Sequence, residues 1–123
     1  MALNEGKYSG EFILSEAPGT ISRDNVTVTV AAETTMEPGQ VLGKLAATGK
    51  YVAFDETATD GRETAAGILY AELDNSAGES PTDFAGVIIN WSAEVREDDL
   101  VWGDADDSVG IPQLEALGIK VRG

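Results

Sequence analysis

From Val26 onward the chain alternates. Val26, Val28 and Val30 are separated by Thr27 and Thr29, and a β-branched run of period two predicts a half-buried strand. Glu37-Pro38-Gly39-Gln40 reads as a turn, and the apolar stretch Val41 to Leu45 follows it. Thr48-Gly49-Lys50 then leads into Tyr51-Val52-Ala53-Phe54, which predicts a hairpin. Asp55 to Glu63 is a polar loop with Asp60-Gly61 as its turn. The segment Ala65 to Ala71 is apolar on both faces, as in a strand buried on both sides.

Asp74 to Asp83 reads as an exposed loop, and Phe84 to Val95 as one further strand centred on Val87-Ile88-Ile89. Asp98 to Trp102 runs into the acidic loop 103–108. A single helix is expected near the C-terminus. Ile111, Leu114 and Leu117 have helical spacing, Asp107 or Ser108 would cap the start, and Gly118 stands where a left-handed cap belongs. Ile119 and Val121 would form a final strand.

Residues 1–25 differ from the rest. Their apolar cluster is Phe12-Ile13-Leu14, set among polar and turn residues, with Pro18-Gly19 as a break. Period two places Tyr8, Gly10, Phe12 and Leu14 on one face and Ser9, Glu11, Ile13 and Ser15 on the other. A lone strand is not stable in water, so this segment needs a partner in its own domain or in another chain. The expected organisation is an extended arm over 1–25 and a β-rich domain over 26–123.

Composition narrows the function. The chain has 123 residues, no cysteine and no histidine, which removes disulfides, thiolate chemistry and the side chain that most often serves as base or metal ligand. Net charge is -14 and uneven, with -2 over residues 1–50 and -12 over 51–123. Such a surface repels phosphate backbones and anionic lipid, arguing against nucleic acid and membrane partners. No apolar run reaches the ~20 residues that span a bilayer, and the N-terminus does not read as a secretory signal.

The acidic loops Asp55 to Gly61 and Asp104 to Asp107 offer oxygen ligands. Read as a calcium loop from Asp55, however, the central glycine falls one place late and position 12 is Ala66. No two of the 22 acids are marked as a catalytic pair. Trp91 and Trp102 would suit a sugar platform, but aromatics beside strands more often serve as core or interface residues. A soluble acidic module for calcium or carbohydrate is the alternative reading.

An ordered set of short motifs carries a resemblance. Tyr51-Val52-Ala53-Phe54-Asp55, then Asp60-Gly61 and Ala66-Gly67-Ile68-Leu69, resembles the central block of the phage head decoration protein D family, best known from bacteriophage lambda. Gly43-Lys44-Leu45, Ala93-Glu94-Val95, Leu100-Val101-Trp102 and the ending Leu117 to Arg122 are similar as well. Glu11 to Glu16, with Ser22-Arg23-Asp24 ahead of Val26, looks like the arm of the longer members.

The resemblance implies a mainly β fold with one short C-terminal helix, a β-tulip-like domain carrying an extended N-terminal arm. It implies a cement protein made in the bacterial cytoplasm that forms homotrimers on the outside of the expanded head and clamps neighbouring major capsid subunits. It implies no catalytic residue and no cofactor. The arm residues expected to meet the capsid are Tyr8, Glu11, Phe12, Ile13, Leu14, Ser15, Glu16, Ile21, Ser22, Arg23 and Asp24. The expected mode is strand addition, with the arm ordering only on the shell. Fixing about eight residues costs on the order of 10 kcal/mol. Three buried apolar side chains return roughly 1.5–3 kcal/mol each, and new hydrogen bonds about 1 kcal/mol each. One arm would therefore bind weakly, and three tethered arms would gain ~10²–10⁴ in avidity.

Overall fold

The computed structural model describes residues 13–16, 23–91, 93–102 and 105–122. In chain order the elements are β1 (Ile13–Glu16), β2 (Arg23–Val30), β3 (Thr34–Met36), β4 (Val41–Lys44), β5 (Tyr51–Ala53), β6 (Ala65–Leu69), β7 (Leu73–Asn75), β8 (Thr82–Ile89), β9 (Ala93–Arg96), α1 (Asp107–Ala116) and β10 (Ile119–Arg122). A single 3₁₀ turn, Glu97–Asp99, follows β9. The fold is thus mainly β with one helix near the C-terminus.

Five strands close into a barrel in the order β2-β5-β4-β6-β8. Its longest seam is antiparallel, β2 on β8 from Arg23 opposite Ile89 to Val30 opposite Thr82. The expected hairpin is β4 on β5, with Leu42 opposite Ala53, and Gly49 in the connection takes φ 74°. Ahead of β4, Gln40 N–H donates to the Glu37 carbonyl and Gly39 takes φ 97°. Those two facts, with Pro38 before the glycine, describe a type II turn.

Adjacent residues on three strands face opposite ways into two cores. Leu42, Leu69 and Ile88 join Val28, Val30, Met36 and Tyr51 in the cluster that fills the barrel. Val41, Ile68 and Ile89 join Phe54, Val95, Leu100, Leu114 and Ile119 in a second cluster outside that wall. The β4-β6-β8 wall is therefore covered on both sides, which is why Ala65–Leu69 shows no alternation.

The second core is covered by α1 and by a separate three-stranded sheet in the order β1-β9-β10. Asp106 caps α1, accepting from Ser108 N–H at 3.0 Å, one residue ahead of the expected caps. Leu114 is fully buried, and the Gln113 side chain accepts from Ala65 N–H at 2.8 Å, tying the helix to the start of β6. Gly118 takes φ 93° and turns the chain into β10, as expected.

Three expectations are corrected. Phe84 to Val95 is not one strand: β8 ends at Ile89 in the barrel, and β9 begins at Ala93 in the second sheet. The link Asn90-Trp91-Ser92 holds no glycine or proline to mark a turn, so only the change of sheet reveals the break. Part of the expected loop 74–83 is strand, since β7 pairs antiparallel with β3. Asn75 holds it: its side-chain NH₂ lies 3.1 Å from each of the Val30, Ala31 and Ser80 carbonyls. Finally, the ladder of β2 starts at Arg23 and not at Val26.

Candidate functional site

The residues expected to reach another chain divide in three. Tyr8, Glu11, Phe12, Ile21 and Ser22 lie outside the described residues. Ile13, Leu14, Ser15 and Glu16 form β1, and Arg23 and Asp24 open β2.

β1 already has a partner within the chain. It pairs antiparallel with β9, Ile13 opposite Val95 and Glu16 opposite Ala93, with an irregularity between Ile13 and Ser15. The expectation that these four residues stay unpaired until they meet a shell is corrected accordingly. The face is corrected too: Ile13, assigned to the polar side, packs against the second core. The reason is tertiary. Val95, Ile119 and Leu114 are completely buried there, and they offer Ile13 apolar neighbours that period two could not reveal.

Position within the sheet matters more than pairing. β9 lies in the centre, flanked antiparallel by β1 and parallel by β10. β1 is thus an edge strand, and among the described residues its outer side carries no ladder. An edge strand presents a row of backbone N–H and C=O groups to any chain that can lie alongside.

At the start of β2, Arg23 lies over the Tyr70 ring, 4.0 Å from its centroid, a close cation–π arrangement. Tyr70 packs on the second core. On the solvent side of the sheet, Arg122 pairs with Glu94, and Arg96 pairs with Asp99 at 3.6 Å. The two tryptophans part company. Trp102 packs edge-on to Phe54 with centroids 5.9 Å apart, whereas Trp91, in the link from β8 to β9, is 55% exposed. The sequence marked both as core or interface aromatics; only placement separates them.

The acidic loops are occupied by their own hydrogen bonds. Asp55 accepts from the Thr57 hydroxyl at 2.6 Å and the Thr57 N–H at 3.0 Å. Asp60 holds the Arg62 guanidinium at 2.9–3.1 Å. Each carboxyl is held below the ordinary aspartate value, Asp55 chiefly by the Thr57 hydroxyl and Asp60 chiefly by its Arg62 hydrogen bond. Among the described residues no three acidic side chains converge as a metal ion would require. The pocket nearest these loops, about 380 Å³, is lined by Gln40, Phe54, Asp55, Arg62 and Trp102 among others. Glu56 and Thr57 line it too, and the Thr57 hydroxyl there is the one that donates to Asp55.

No curated protein matches the chain. The family model described as bacteriophage lambda head decoration protein D matches residues 2–119. With nearly its whole length matched, through barrel, helix and edge sheet alike, the chain belongs to the bacteriophage lambda head decoration protein D family.

Proposed function

We propose that this protein is a cement for a tailed-phage head: it binds as trimers to the outside of the expanded capsid and clamps neighbouring major capsid subunits. Family membership supports decoration of a phage head. The observation that supports clamping is the edge position of β1, whose outer side, unpaired among the described residues, can accept a strand from a capsid subunit while its other side is fixed to β9.

This differs from an arm that orders only on the shell. Ile13–Glu16 are already extended and anchored, so their ordering entropy, about 1–2 kcal/mol per residue, is met on folding and not on binding. Residues 1–12 would extend the same contact. A single edge remains a small interface, and affinity comes from three tethered contacts acting at high effective concentration. No step of this function calls for catalysis, and the family is one of structural phage head proteins.

The experiment is to mix purified protein with expanded, undecorated heads and count bound copies per capsid subunit. Saturable, stoichiometric uptake is expected, and deletion of residues 1–16 should abolish it while the truncated chain still melts cooperatively, at a temperature lowered by the loss of Ile13 and the β1-β9 ladder. The truncation stops at Glu16 because β2, and with it the barrel, begins at Arg23. Undiminished uptake by the truncated chain would exclude the β1 contact.

A further inference from the structure

We propose that Trp91 is an anchor residue for the major capsid protein, seated in an apolar socket of the shell beside the place where β1 meets it. The inference rests on the cement reading and names a second contact within it.

Among the described residues the exposed large hydrophobic side chains are Trp91, at 55%, and Val109, at 38%. Val109 lies in the first turn of α1, whereas Trp91 lies in the short link where the chain leaves the barrel for the edge sheet. Both ends of that link are rigid. Ile89 before it is fully buried and paired with Arg23 and Ile68, and Ala93 after it is paired with Glu16 and Ile119. An indole fixed at both ends loses little freedom on binding, unlike one carried on a mobile tail.

Its location names the occupant. Ala93 is the residue opposite Glu16, the last of β1, so Trp91 stands two residues beyond the end of the open edge. A capsid strand laid along β1 runs out at this point. The stacked pair Arg23–Tyr70 stands by the barrel end of the same link, since Arg23 is opposite Ile89. Tryptophan, tyrosine and arginine are the side chains that most often dominate binding energy at protein interfaces. Among the described residues, neither core cluster includes Trp91.

The test uses the full chain and expanded, undecorated heads. Trp91→Ala is expected to weaken head binding by about thirtyfold or more, as loss of a hot-spot aromatic does. Its melting temperature and self-association should match the wild type, and Trp91→Tyr should recover most of the affinity. Equal binding by Trp91→Ala and wild type overturns the inference while leaving the cement reading standing. So does a variant whose self-association falls while each remaining trimer binds heads normally, since the socket then belongs to a second copy. Failure of the wild type to bind heads overturns the cement reading and this inference together. Failure of the residue 1–16 deletion to affect binding, with Trp91→Ala still defective, overturns only the β1 contact.

Discussion

Gly110 shows how one missing methyl group permits a packing arrangement. It is buried in α1, and a Cβ there would run into the six-membered ring of Trp102 and come within 3.1 Å of a Phe54 ring carbon. The glycine costs the helix about 1 kcal/mol relative to alanine, but it lets α1 lie flat on the Phe54–Trp102 pair. Gly110→Ala should therefore destabilise, because overpacking costs about 1–3 kcal/mol and outweighs the gain in helix propensity. A lower urea midpoint with altered near-ultraviolet dichroism from Trp102 is the expected result; a higher midpoint would refute the packing account. Nothing in the sequence marked this glycine, since helical spacing of Ile111, Leu114 and Leu117 is satisfied whatever stands at 110. Asn75 is similar. It reads as a loop residue, and only the meeting of β7 with the end of β2 gives its amide three carbonyls to bridge.

At the scale of elements, the edge strand covers its neighbour. With β1 in place, β9 is paired on both sides; without it, the backbone of Ala93–Arg96 faces solvent. An open edge of this kind pairs readily with other copies. Deletion moves the open edge from β1 to β9 and also uncovers the apolar surface that Ile13 packs against, so the residue 1–16 deletion should self-associate more strongly than the full chain, as read by sedimentation velocity; an unchanged sedimentation profile would refute this protective role. The regular elements were legible where periodicity and turn chemistry agreed: β2, the β4-β5 hairpin, β6, α1 and β10. β3 and β7 were not legible, because each is three residues long and, unlike β5, carries no apolar run beside a hairpin turn. Nor was the exchange of sheets between β8 and β9 visible, because the link between them holds no glycine or proline. In the candidate site the segment 13–16 was legible as a strand, but its partner was not, because pairing with β9 depends on a contact some eighty residues away in sequence.

Across the whole molecule, acid sensitivity should follow from carboxylates that fold into hydrogen bonds. Asp83 is held below the ordinary value of 3.8 chiefly by Lys50 and then by the Thr29 hydroxyl. Asp74 is lowered by Ser76 and Thr35, and Asp106 by Ser108. A carboxyl whose folded pKa lies below its unfolded one binds fewer protons in the native state, so it stabilises fully above the unfolded value. That stabilisation is lost as pH falls through the folded value. Melting temperature should hold from neutral pH down to about 4 and drop below it. The difference between wild type and Asp83→Asn should shrink over the same interval. A difference that grows on acidification would contradict the sign. These groups are exposed, so each effect is small.

Sequence alone determined the class of the protein: β-branched alternation, paired turn residues and one capped helix specify a β-rich domain. The ordered motifs carry the resemblance to its family. These signals are local, or additive along the chain, and survive without coordinates. The tertiary structure decided which side of the β4-β6-β8 wall each residue faces, that Ile13 turns inward, that β1 is an edge, and that Trp91 and not Trp102 is left in water. Each of those depends on which distant strand lies alongside, and strand neighbours are fixed by closure of the barrel and burial of the second core, not by any one segment's own preference.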